Sequence, residues 1–162
     1  MSGPGGWTTG RTLTLVVLAA VLFAAIWWGR ARLSGSDQPK PIAQADAATI
    51  AAGKPLYERH CASCHGANLE GQPSWRERRA DGRLPAPPHD DSGHTWHHPD
   101  EVLIAITRRG LKPPLAPDGY QSDMPGFEGV LTEAEIRAVL AWIASRWSAE
   151  SRAHQLRITR GN

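Results

Sequence analysis

The run Cys61-Ala62-Ser63-Cys64-His65 constrains this chain more than any other feature. Its two cysteines are the only ones in 162 residues. Thiols three positions apart with an imidazole directly after them form the attachment pattern of a c-type haem. The chemistry explains the spacing. The two thiols add to two vinyl groups on one edge of the porphyrin, and the next residue then lies under the iron, where its imidazole can ligate. A chain pinned in this way has to wrap the group that it carries.

Other uses of two cysteines fit less well. A redox-active Cys-x-x-Cys is expected beside a βαβ pattern, and the flanks here read as helix. A structural zinc site needs four ligands. Cys61, Cys64 and His65 supply three, and no second Cys-x-x-Cys accompanies them. A disulfide between Cys61 and Cys64 would close a very small loop and stabilise little.

Composition excludes one class of partner. The formal charge of +2 is split unevenly along the chain. Arg11, Arg30, Arg32 and Lys40 face only Asp37 before residue 46, whereas from Asp46 onward 14 Lys and Arg stand against 15 Asp and Glu. No basic stripe is available to neutralise phosphates, so nucleic acid is not an expected partner.

Leu13 to Trp28 is a run of 16 residues with no charge and one hydroxyl, Thr14. As a helix it spans about 24 Å at 1.5 Å per residue, slightly short of a ~30 Å hydrocarbon core. Thr12 and Gly29 can extend it, and Trp27 and Trp28 suit a membrane–water interface. A cleaved secretory signal fits less well. Gly29-Arg30-Ala31 carries an arginine, and Ala43-Gln44-Ala45 lies too far beyond the apolar run. The expected organisation is a tail over 1–11, a transmembrane anchor over 12–29, a flexible tether over 30–46, a folded domain over 47–148 and a C-terminal tail over 149–162.

The folded part reads as helices separated by long loops, with no strand pattern and no internal repeat. Ile50, Gly53, Leu56, Tyr57 and His60 make one face of a first helix from about Ala47 to Cys61. Pro55 is discordant and predicts a start nearer Lys54, or a bend there. Residues 66–98 are rich in Pro and Gly and form a loop, which at this length implies a function. In a second helix Pro99 takes the first position, Asp100 and Glu101 follow in the first turn, and Gly110 ends it. Val102, Leu103, Ile106 and Ile104 are its expected buried face. Thr132 and Glu135 form a capping box ahead of a stripe of Ile136, Val139, Leu140, Ile143 and Trp147. The segment after Ser148 is polar and expected at the periphery.

A haem iron held by one histidine takes a sixth ligand or keeps an open site. Apart from Met1 the chain has one methionine, Met124, in the loop Asp123-Met124-Pro125-Gly126-Phe127. Core-filling methionines lie on helix or strand faces, so this loop methionine is the expected sixth ligand. His94, His97 and His98 cluster beside Asp90, Asp91 and Asp100. They read as a loop group hydrogen-bonded to carboxylates or backbone, with a second metal site or bis-histidine haem ligation as the alternative. His60, His89 and His154 are assigned surface or packing roles.

With Cys61-Ala62-Ser63-Cys64-His65-Gly66, Met124-Pro125 and a closing helix from Leu131 to Trp147, the chain resembles a class I c-type cytochrome over about residues 47–148. The resemblance implies an all-α cytochrome c fold, three to five helices around one covalent haem c, here behind the N-terminal transmembrane helix. It implies axial ligation by His65 and Met124, with thioether attachment through Cys61 and Cys64. It also implies close helix crossing at Gly53, packing of Tyr57 on Trp142, and a proline carbonyl, from Pro85 or Pro87, that orients the His65 imidazole. Trp75, Arg76 and Arg83 are candidates to contact the haem propionates.

Such a protein is expected to be a one-electron carrier and not itself an enzyme. It would be single-pass in the bacterial cytoplasmic membrane, with the haem domain on the periplasmic side where thioether attachment takes place; the charges flanking the helix do not set this orientation. The expected electron donor is a quinol-oxidising complex or dehydrogenase, and the acceptor a terminal oxidase or reductase. A fixed subunit of such an oxidoreductase complex is the variant reading. The alternatives are an open-site haem sensor or peroxidase-like protein, and a metal-handling module built on His94, His97 and His98.

Overall fold

The computed structural model describes residues 8–33 and 39–161. The expected tail over 1–11 and tether over 30–46 lie partly outside the described residues. The chain divides into two compact units, Met1–Pro39 and Lys40–Asn162.

In the first unit, α1 runs over Thr8–Leu33. Leu15, Val16, Val17, Leu18, Phe23 and Trp27 are all exposed on it. Among the described residues no helix is long and apolar enough to cross a membrane. The expected transmembrane span is therefore reduced to a helix with exposed apolar side chains.

In the second unit, α2 covers Ala47–His60. Its start is set by Asp46, whose Oδ1 accepts from the Thr49 amide at 2.9 Å and the Thr49 hydroxyl at 3.0 Å. The helix begins at Ala47, as its apolar face predicts, and not at the alternative start near Lys54, because Pro55 lies inside it. Proline removes the donor that the Ala51 carbonyl would use, and Ala51 and Pro55 are both on the exposed side, where water can replace it.

A four-residue turn of helix, α3 (Ala62–His65), follows directly. The chain then makes a long strand-free loop with one 3-10 turn at Thr95–His97. Helix α4 covers Asp100–Arg109, with Pro99 at the N-cap, one position earlier than expected. Its buried residues are Asp100, Leu103, Ile104 and Thr107, not Val102 and Ile106. A hydrophobicity count cannot anticipate two polar residues that turn inward with their own partners. Thr107 Oγ1 donates to the Leu103 carbonyl at 2.8 Å. Asp100 accepts from the Ile42 amide at 2.9 Å, Gln155 Nε2 at 2.7 Å and Thr159 Oγ1 at 3.0 Å.

Helix α5 (Glu133–Ser145) starts at the Thr132–Glu135 capping box. Ile136, Val139, Leu140, Ile143 and Trp147 are all buried. It packs across α2 at Gly53, where an added Cβ would lie 1.9 Å from the Ala138 carbonyl oxygen. Only a residue without a side chain permits that approach. Tyr57 stacks on Trp142 there, with ring centroids 4.5 Å apart.

The segment after Ser148 is not a peripheral tail. It forms α6 (Ala149–Thr159), with Gln155 fully buried. Its inner face is polar, and Asp100 accepts from the Gln155 amide nitrogen there, so an apolar period is absent from the sequence although the helix is packed. The same carboxylate ties down Ile42, so the folded unit begins before the expected end of the tether. Among the described residues the protein is all-helical, with no strand.

Candidate haem site

Cys61 caps the C-terminus of α2, and its carbonyl accepts from the amides of Cys64 at 3.1 Å and His65 at 2.9 Å. One turn of backbone thereby carries both thiols and the imidazole. Cys64 is exposed, Cys61 is partly buried, and the two form no disulfide. Burial, then the neighbouring Cys64, pushes the Cys61 thiol up to about 11. A dithiol built for redox exchange has the opposite shift, toward the thiolate. Two thiols that are not tied up in a disulfide are free for addition to vinyl groups.

His65 is buried. Its Nδ1 lies 2.9 Å from the Pro87 carbonyl oxygen. A carbonyl only accepts, so Nδ1 carries the proton and Nε2 is left with its lone pair. Burial holds the imidazole pKa below its ordinary value, outweighing the hydrogen bond to Pro87. The ring is therefore neutral and in the tautomer that a metal requires. Of the two prolines expected to orient it, Pro87 does so.

Two neighbours frame this turn. The Tyr57 hydroxyl donates to the Gly66 carbonyl at 2.7 Å. His89 stacks on His65 with ring centroids 3.9 Å apart and planes 21° apart. Sequence reasoning left His89 without a role. The only signal was its place two residues after Pro87 in Pro85-Ala86-Pro87-Pro88-His89.

Met124 is half-buried in the loop between α4 and α5. That loop is held on both sides of the methionine. On one side Asp123 pairs with Arg79 and with Arg83, the latter at 2.5 Å. Hydrogen bonds from Arg79, then Arg83, hold its carboxyl below the usual carboxylate range. On the other side the amides of Phe127 and Glu128 donate to the Thr107 and Arg108 carbonyls at 3.1 and 2.9 Å. A Cβ on Gly126 would meet the Arg108 and Arg109 backbone at 2.7 to 2.9 Å, so glycine lets the loop lie across the end of α4. Arg83, a candidate propionate contact, is thus engaged by Asp123, and the Arg76 guanidinium lies 4.0 Å above the Trp75 ring.

The histidine cluster differs from its expected form. His94 stacks on Trp75 at 5.5 Å, and His97 stacks on Trp96 at 3.7 Å. Asp91 and Asp100 are used elsewhere, Asp91 on the Ser148 amide and Asp100 as described above. The three imidazoles pair with aromatic rings, not with carboxylates. Among the described residues no group of three or more His, Cys, Asp or Glu could hold a metal ion.

Residues 50–147, more than half of the chain, match the family described as Cytochrome c. The chain belongs to the cytochrome c family. Its cofactor is a covalent haem c, and the protein is an electron-transfer haem protein. It is similar to the cbb3-type cytochrome c oxidase subunit FixP of Rhizobium etli, with 27% identity over 94 residues, 58% of this chain and 29% of that protein. The match thus spans less than a third of the relative's length. No solved structure matches. The haem fits the residues present: two free thiols on one turn, and an imidazole whose unprotonated nitrogen is set by the Pro87 carbonyl.

Proposed function

We propose that this cytochrome carries single electrons with His65 and Met124 as the two axial ligands of its haem, attached through Cys61 and Cys64. The reading rests chiefly on the His65 Nδ1–Pro87 bond of 2.9 Å, which leaves the lone pair of the other nitrogen available to a metal. The haem supplies a one-electron couple, and a methionine ligand favours its reduced form. The chain's own part is to hold both ligands still. His65 is fixed by the burial of its ring and by the Pro87 carbonyl. Met124 is presented by a loop tied to Arg79 and Arg83 before it and to the end of α4 after it. With both positions filled, substrate has no place to bind, which separates this reading from a sensor or peroxidase-like protein.

We further propose that α1 tethers the domain to the cytoplasmic membrane, haem side out. Its 26 residues reach about 39 Å as a helix. The 16 uncharged ones span slightly less than the ~30 Å apolar core. A tether raises the effective concentration near membrane partners. Similarity to an oxidase subunit favours a terminal oxidase complex as electron acceptor, with a quinol-oxidising complex or dehydrogenase as donor.

Met124→Ala tests the ligand set. The ferric wild type is expected to show a sulfur-to-iron charge-transfer band that the variant lacks, and the reduced variant is expected to bind carbon monoxide rapidly. An unchanged spectrum removes Met124 from the site.

A further inference from the structure

We propose that His89 is a positioning residue that fixes the plane of the His65 imidazole. The proposal rests on His65 being an iron ligand. The Pro87 carbonyl restrains one atom of that ring, Nδ1. One hydrogen bond sets a direction but leaves the ring free to swing about it. The His89 imidazole, nearly parallel at 3.9 Å between centroids, closes that freedom from one face. A stacked partner restrains only if it is itself restrained, and His89 is. Its amide donates to the Leu69 carbonyl at 2.8 Å. Its carbonyl accepts from Trp147 Nε1 at 2.7 Å. Its Nδ1 lies 2.8 Å from the hydroxyl of buried Thr95.

The backbone that receives it is strained. Leu69, 1% exposed, has φ of 72°, a conformation uncommon for a residue with a branched side chain. Such a residue persists only where its surroundings over-determine it. Here the left-handed residue presents its carbonyl to the amides of His89 and, at 3.4 Å, of Asp90. An apolar side chain could fill the same space without the Thr95 contact. Outer partners of a ligating histidine set its ring orientation, and that orientation governs the anisotropy of a low-spin ferric centre.

The test uses the haem-loaded full chain in mild detergent. His89→Ala is expected to shift the ferric electron paramagnetic resonance g-values and the hyperfine-shifted haem methyl resonances. His89→Phe, which keeps a flat ring but no Nδ1, is expected to restore most of the wild-type pattern. A folded His89→Ala protein with wild-type g-values overturns the proposal, as does a folded His89→Phe protein that behaves like His89→Ala. Should His89→Ala fail to fold, His89→Leu, which keeps bulk but no flat ring, decides: g-values shifted from the wild type support the role, and wild-type g-values overturn it. A wild-type ferric protein that is high-spin would instead overturn the ligand reading, so the two failures are distinguishable.

Discussion

The two segments that carry the proposed axial ligands are built differently. On the His65 side, both thiols and the imidazole share one turn, and the partners that lock it are buried: Tyr57, Leu69, Thr95 and Trp147. On the Met124 side the loop over residues 111–126 is largely exposed, and its ties are an exposed ionic cluster and two amides on the end of α4. The first is a short-range construction held by packing, the second a long-range one held at its two ends. The first should therefore outlast the second when conditions are made harsher. Ligand loss on the methionine side should precede unfolding.

The largest effect is expected at the frame that both sides share. A Cβ at Gly53 meets the Ala138 carbonyl oxygen at 1.9 Å, and backbone cannot give way as a side chain can. Gly53→Ala should cost about 3 kcal/mol from overpacking, against about 1 kcal/mol gained from helix propensity, so the clash wins. Urea unfolding of the haem-loaded protein should show the loss, and haem absorbance and helical signal should fall together. A variant as stable as the wild type would mean that the α2–α5 crossing is not as close as described.

Asp100→Asn comes next, because it touches neither side. The carboxylate accepts three hydrogen bonds at once, and an amide would turn a donor toward one of those donors. About 1.5 kcal/mol of stability should go, with the ferric spectrum of the folded protein unaltered. A changed spectrum would show that the α4–α6 junction reaches the ligands and would blur the contrast.

Much of this was legible in the sequence, and the misses share a cause. The Cys61–His65 turn, the Thr132 cap and the α5 stripe are short-range patterns, and each appears where its spacing puts it. Gly53, Tyr57 and Pro87 followed from the family resemblance, and all three make the expected contacts. Helix α6, the inward turn of Asp100 and the stacking of His89 were not legible. Each depends on a polar group meeting a partner more than 20 positions away, and no local period records such a meeting. The hydrogen bonds from Gln155 and Thr159 to Asp100 span 55 and 59 positions.

The smallest effect tests the contrast most sharply. Asp123 pairs with Arg79 and Arg83 one residue before Met124, and all three side chains are 41 to 45% exposed. Exposed ion pairs add little to global stability, so Asp123→Asn should leave the unfolding midpoint nearly unchanged. Its effect should be local: on warming, the sulfur-to-iron band should fade at a lower temperature than in the wild type, well before the helical signal. Salt offers the same lever without mutation, because exposed pairs are screened as ionic strength rises. Added sodium chloride should bring forward the fading of the band in the wild type and do less in Asp123→Asn, whose latch is already weakened. The His65 side, held by buried hydrogen bonds, should not respond to salt in either protein. If the band in Asp123→Asn fades together with the helical signal, the ionic cluster is not a latch, and the Met124 loop is held as firmly as the turn that carries His65.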